Sequence, residues 1–220
     1  MFITFEGIEG CGKTTQIRLL EKRLNHYSIP HTTTMEPGGT RIGVGIRKML
    51  LDSGNKDIYS LAELLLYAAD RAQHVEEVIQ PALKVGKWLI CDRFFDATVV
   101  YQGSARGQDM DFIRILNEKI TNGIRPDITF LLDCPVEIGL KRAVDRNNVQ
   151  EINRMDRFER ENIDFHLKVR EGYLTLAKEE RMRFIIVDAS RSVEEVESSI
   201  LMTLQPYLNA SMENLDSNVE

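Results

Sequence analysis

The chain reads as an α/β fold, a parallel five-stranded sheet flanked by helices within a single domain. Three observations carry that reading. Short runs rich in β-forming residues alternate with longer stretches of helical periodicity. Several of the short runs are apolar without alternation, the mark of strands covered on both faces. The first run passes straight into a glycine-rich loop that opens a helix.

Taken in order, "FITF" at 2–5, "TTTM" at 32–35, "KWLIC" at 87–91, "DITFLLD" at 127–133 and "RFIIVD" at 183–188 are the predicted strands. Helical patterns occupy 13–26, where Ile17, Leu20 and Leu24 share one face, then 41–52, 59–84, 108–121, 136–146, 158–180 and 193–206. Leu61, Leu64, Leu65 and Ala68 form an apolar stripe on the longest of these and are expected in the core. Strands separated by helices imply right-handed βαβ crossovers, and ligands in such sheets gather at the carboxyl ends of the strands. The segments to watch are therefore Glu6–Thr14, Glu36–Thr40, Asp92–Arg93, Asp133 and Asp188. One domain is expected over 1–208, with a polar, acidic tail over 209–220 expected to be disordered.

Composition narrows the function. A net charge of −6 argues against a nucleic-acid polymer as partner, because such binding needs a basic excess. No apolar run long enough for a membrane span and no basic leader with a cleavage site are seen, so a cytoplasmic protein without a membrane partner is expected. Cys11, Cys91 and Cys134 are too scattered for a disulfide framework or a metal site, which fits a reducing compartment.

The stretch "FEGIEGCGKTTQ" holds the strongest chemical signal. Gly7, then four residues, then Gly12, Lys13 and Thr14 complete G-x-x-x-x-G-K-[ST] between a strand and a helix. Glycines let the backbone wrap so that several N–H groups face one anion, and the helix N-terminus adds positive potential. Gly7, Ile8, Glu9, Gly10, Cys11, Gly12, Lys13, Thr14 and Thr15 are thus the candidate ATP-binding residues. Lys13 brings full charge to the outer phosphates, and the Thr14 hydroxyl can ligate Mg²⁺. Asp92, at the end of the strand "KWLICDR", can hold the same metal, and Arg93 beside it needs an anion, for which a second phosphate would serve.

The loop alone does not separate switches, motors and kinases. "GNKDI" at 54–58 has its aspartate one residue too early for a guanine-reading segment, and the chain has little room for the accessory domains of a motor. A small-molecule kinase needs an acceptor pocket and a lid that excludes water. Residues 141–160, "KRAVDRNNVQEINRMDRFER", are the lid candidate, and Arg142, Arg146, Arg154 and Arg157 within it are the arginines that can neutralise the transferring phosphoryl group.

The motifs "FEGIEGCGKTTQ", "EPGGT" at 36–40, "LLYAADRAQH" at 65–74, "CDRFFDATVVYQG" at 91–103 and "DRFERENIDFH" at 156–166, in this order, resemble the thymidylate kinase family across roughly 2–207. Arginines in the lid rather than the loop resemble its bacterial form. The resemblance implies a P-loop nucleoside monophosphate kinase fold and transfer of phosphate from Mg-ATP to dTMP, within a homodimer packed through long helices. It implies that Glu9 accepts a hydrogen bond from the 3′-hydroxyl of the acceptor nucleotide, that Arg93 grips its monophosphate and that Tyr67 stacks on thymine. Arg71 is implied to bond a thymine carbonyl, Thr98, Tyr101 and Gln102 to line the pocket, and Glu36 with a cis Pro37 to shape the turn beside the acceptor. Arg142 is implied on the ATP side, with Lys13, Asp92, Arg93, Arg146, Arg154 and Arg157 carrying the transfer. Met35, Val44 and Phe94 depart from the family pattern. Another nucleoside monophosphate kinase, and a nucleotide-dependent switch, are the alternative readings.

Overall fold

The computed structural model describes residues 1–149 and 157–216. Five strands, β1 (Phe2–Glu6), β2 (His31–Met35), β3 (Trp88–Asp92), β4 (Ile128–Asp133) and β5 (Phe184–Asp188), form one sheet in the order β2-β3-β1-β4-β5. All pairings are parallel, with Phe5 opposite Asp92 on one side and Phe130 on the other. Every residue of β1 is buried, as expected of a central strand covered on both faces. Its side chains alternate between two cores, Ile3 and Phe5 joining Leu20, Ile90 and Phe130, while Phe2 joins Val75, Leu89 and Phe94. The α/β class and all five strands agree with the sequence reading.

The helices are α1 (Lys13–His26), α2 (Arg41–Leu51), α3 (Ser60–His74), α4 (Gln80–Lys84), α5 (Phe95–Thr98), α6 (Met110–Thr121), α7 (Val136–Val149), α8 (Ile163–Glu179) and α9 (Val193–Asp216). Their starts follow local chemistry: the side chains of Thr40, Asp109 and Asn162 accept from backbone N–H groups of the first turns of α2, α6 and α8.

Several elements differ from the sequence pattern, among them α7, which runs to Val149 rather than ending at 146. The helix expected over 59–84 widens into a π-helical turn, Val75–Ile79, before α4, where Pro81 has no N–H to return to that turn. The helix expected from 158 begins instead at Ile163, because Asn162 caps it. Residues 95–105, not expected to be helical, form α5 and a π-helical segment, Val99–Ala105; their β-branched content disguised them. At the far end, α9 runs through the segment expected to be a tail as far as Asp216, with Leu208 buried and Trp88 Nε1 donating to Ser211 Oγ at 3.2 Å.

Candidate functional site

The P-loop sits where the sequence places it, between β1 and α1. Gly10 has φ +69°, and a Cβ there would lie 1.9 Å from the Gly139 carbonyl oxygen, so only glycine lets α7 pack against the loop. Lys13 Nζ folds over the loop, donating to the carbonyls of Gly7 (3.1 Å) and Ile8 (2.9 Å). The Ile8 and Cys11 side chains are buried in the core, so these two residues can offer a ligand only backbone groups. Thr14 and Thr15 are exposed at the start of α1. Thr14 Oγ1 lies 3.3 Å from Asp92 Oδ2, across from the end of β3. A hydroxyl and a carboxylate are hard oxygen donors of the kind Mg²⁺ takes, usually together with phosphate oxygens and water.

Beside the loop a cavity of about 350 Å³ opens over the carboxyl ends of β1, β2 and β3. Its lining includes Glu9, Gly10, Lys13, Thr14, Glu36, Pro37, Tyr67, Arg71, Asp92, Arg93, Thr98, Tyr101, Gln102 and Arg146. Segments separated by over a hundred residues thus meet at one point, as the parallel topology dictates.

Arg93 is the centre of this wall. Its backbone has φ +70°, a strained conformation for a residue with a side chain, held by Arg93 N–H donating to the Phe5 carbonyl (3.0 Å) and Phe94 N–H donating to Glu6 Oε1 (2.8 Å). The guanidinium donates to Tyr173 Oη (3.0 Å) and Glu9 Oε1 (3.1 Å) and stacks 4.9 Å from the Tyr101 ring centroid. A guanidinium has five N–H donors, so these two bonds leave others for an oxyanion.

Glu9 accepts from Tyr101 Oη at 2.6 Å, and His166 Nδ1 lies 3.3 Å from its other oxygen. Burial alone would raise its carboxyl pKa; His166, Arg93, Lys13 and Tyr101 outweigh that and bring it down to about 2. An acid in the middle of an anion-binding loop is therefore kept ionised by the cations beside it. Glu6, wholly buried under the same arginine, goes the other way. Burial and the nearby Asp96 exceed the pull of Arg93, Tyr173 and the Phe94 N–H, raising it to about 7.

On the far wall, the Glu36–Pro37 peptide is cis. Glu36 accepts from Arg71 Nε and from His74 Nδ1, each at 2.8 Å. Arg71 is fully buried and also donates to Asn117 Oδ1 (3.0 Å) and the Phe94 carbonyl (3.2 Å). Asp70 braces the following turn by accepting from Gly38 N–H (3.0 Å); burial, then Glu36, lifts its pKa to about 6. Tyr67 faces Phe158 across the cavity, centroids 6.3 Å apart. Thr98 Oγ1 is buried with no hydrogen-bond partner among the described residues.

Not every expected residue turns toward the cavity. The Gln102 side chain donates to Glu63 Oε1 (2.9 Å). Among the lid arginines, Arg146 lines the cavity and pairs with Glu159. Arg142 instead donates to the carbonyls of Ala189 (2.8 Å) and Ser190 (3.5 Å), tying α7 to the loop after β5. The structure does not bring Arg157 to the cavity: it donates to the Leu50 carbonyl at 2.9 Å and pairs with Glu63, whose buried carboxylate needs a cation. Arg154 and the rest of 150–156 lie outside the described residues.

The sequence reading missed Arg47, Tyr173 and Asn117, and gave Glu6 only as the start of a segment to watch, with no role of its own. Arg47 lines the cavity and donates to the Pro37 carbonyl (2.7 Å); an arginine on the face of α2 turned back toward "EPGGT" was the available signal. Met35 and Val44 are exposed, whereas Phe94 is buried in the core.

The model of the thymidylate kinase family matches residues 5–200. The chain belongs to the thymidylate kinase family. Thymidylate kinases of Geotalea uraniireducens and Geotalea daltonii are each 54% identical to it. The alignments cover 90% and 96% of this chain, and 93% and 99% of theirs. The crystal structure of thymidylate kinase from Ehrlichia chaffeensis superposes with a TM-score of 0.73 at 33% identity, over 93% of this chain and 98% of that one. The doubly covered sheet and the P-loop are thus those of the family's fold.

Proposed function

We propose that this protein phosphorylates dTMP to dTDP with ATP, using Mg²⁺. The observation that carries the reading is the single cavity in which Lys13, on the P-loop, and Arg93, held forward by Glu9 and Tyr173, stand as two separate stations for anions. Membership of the thymidylate kinase family supports the same substrates.

ATP lies with its phosphates along the loop amides and Lys13. Thr14 and Asp92 would hold Mg²⁺, which would supply positive charge against the outer phosphates. The monophosphate of dTMP rests on Arg93, its 3′-hydroxyl on the ionised Glu9, and its base between Tyr67, Arg71, Thr98 and the wall carrying Gln102 and the Glu36–Pro37 turn. Tyr101 stands beside the sugar. An oxygen of the acceptor phosphate attacks the γ-phosphorus, the bond from γ-phosphorus to the bridging oxygen breaks, and ADP departs. The nucleophile is already an anion, so no strong base is required; bringing two polyanions together in line is the difficulty, and fixed cations answer it. Arg146, already at the cavity, is the lid arginine best placed to meet the transferring group.

The oligomer is proposed as a homodimer. Leu64 and Ala68 on α3 are in the core as expected, but Leu61 and Leu65 are not: with Phe112 and Ile115 on the adjacent α6 they are exposed apolar side chains that a second copy would cover. Among the described residues no helix is long and apolar enough to cross a membrane. Nucleotide substrates and free, buried Cys11, Cys91 and Cys134 favour the cytoplasm.

A coupled assay of ADP release over a panel of nucleoside monophosphates tests the reading. Turnover should be greatest with dTMP and should fall by about 10²–10³ in Lys13→Ala and in Arg93→Ala. Preference for UMP, AMP or GMP would make it another nucleoside monophosphate kinase. ADP release independent of any acceptor would make it a switch.

A further inference from the structure

Glu6 Oε2, on a fully buried side chain, and Arg93 Nη1, on a side chain 17% exposed at the cavity, stand 3.9 Å apart rather than in a direct pair. The Tyr173 hydroxyl lies between them. It donates to Glu6 Oε2 at 2.6 Å and accepts from Arg93 Nη1 at 3.0 Å. Tyr173 is nearly inaccessible to solvent and comes from α8, eighty positions beyond Arg93, so local sequence does not require it there.

Two forces act on the guanidinium. Glu9, at the rim of the cavity, draws it outward. Glu6, beneath it, draws it inward once its carboxyl is ionised, above about 7, and at low local dielectric that pull is strong. A guanidinium forms a two-pronged pair with a carboxylate readily when nothing intervenes. Arg93 paired in that way would be withdrawn from the cavity.

We propose that Tyr173 is a positioning residue whose hydroxyl acts as a spacer, keeping Arg93 from collapsing onto Glu6 and so presenting it to the acceptor phosphate. The inference rests on the reading of Arg93 as the arginine that binds the dTMP phosphate, and deepens it. Removal of the hydroxyl frees Glu6 to capture Arg93. Removal of the Glu6 charge as well takes the trap away.

The test is calorimetric titration, at about pH 8 where Glu6 is ionised, of dTMP and of thymidine, which lacks the 5′-phosphate, into the full chain and three variants. Tyr173→Phe should weaken dTMP binding about ten- to hundredfold, the worth of one hydrogen bond between charged partners, and leave thymidine binding unchanged. Adding Glu6→Gln to Tyr173→Phe should restore most of the lost selectivity for dTMP over thymidine. Glu6→Gln alone, which preserves shape, should keep that selectivity within about threefold of wild type, a change of less than one hydrogen bond. Equal weakening of both ligands in Tyr173→Phe, or no rescue in the double variant, overturns the spacer. A tenfold loss of selectivity in Glu6→Gln alone also overturns it, by making Glu6 the support of Arg93. Wild type that binds thymidine and dTMP equally well overturns the role of Arg93 and the spacer with it; selective wild type with unaltered Tyr173→Phe overturns the spacer only.

Discussion

Replacing Glu6 by Gln should flatten the dependence of stability on pH. In the folded chain the Glu6 carboxyl keeps its proton up to about 7, against an ordinary 4.5, because burial, reinforced by Asp96, outweighs Arg93, Tyr173 and the Phe94 N–H. Between those values the folded state binds a proton that the unfolded state has released. Stability therefore falls as pH rises through that window, and the contribution is complete only below the unfolded value. Each unit of pH across it is worth about 1.36 kcal/mol, so the wild type should lose about 2–3 kcal/mol from this one group between about pH 5 and pH 8. Groups that do not interact with Glu6 titrate in wild type and variant alike and cancel in the difference. Urea unfolding followed by circular dichroism at a series of pH values gives that difference directly. Glu6→Gln should gain on the wild type by about 2–3 kcal/mol from the acid to the alkaline end, outside extrapolation error. A difference constant to within about 0.5 kcal/mol would show that Glu6 ionises normally, and the burial argument would fail.

Glu9 predicts the opposite slope: with its carboxyl brought down to about 2, the wild type should lose roughly 3 kcal/mol as pH falls from 4.5 toward that value, and Glu9→Gln should not. Arg71→Met leaves the buried Glu36 with His74 alone and should cost about 3–5 kcal/mol in urea unfolding; a loss below 1 kcal/mol would mean that Glu36 is adequately paired without it. Asp92→Asn should raise the Mg²⁺ concentration for half-maximal ADP release by about 10–100-fold, read from a metal titration of the coupled assay. Leu65→Glu should shift the sedimentation profile toward monomer while leaving the circular dichroism spectrum intact, since Leu65 is half-exposed on α3.

The sheet and the loop were legible because their causes are local. A central parallel strand must be apolar on both faces, which β1 and β4 satisfy almost residue by residue, and the P-loop needs fixed glycine and lysine spacing within a dozen positions. Asp92 and Arg93 were legible for a related reason, since the end of a central strand can be located once the strand is known. The break at Val75–Ile79 and the helix over 95–105 were harder. Pro81 is tolerated in the first turn of a helix, and β-branched residues such as Val99 and Val100 do not advertise helix.

Partner choice among charged side chains is a different problem, and the lid arginines show why. Arg146 and Arg157 carry the same charge on the same expected lid, and each ends opposite a glutamate. Their separation is decided by where those glutamates lie. Glu159 stands on the cavity wall, so Arg146 remains where a phosphoryl group could exchange for it. Glu63 is buried in the first turn of α3 and already gathers Gln102 and Arg106, so a third donor placed there is desolvated and held. Desolvating a cation is repaid only by a fixed counter-charge, and that counter-charge comes from a residue more than ninety positions away. The same holds for Glu6, Tyr173 and Arg93, where position in the sequence says nothing of the hydroxyl that stands between the charges. A chain's charged residues can name the chemistry of a site, but the buried counter-charges, brought from distant segments by topology, decide which of them remain available for it.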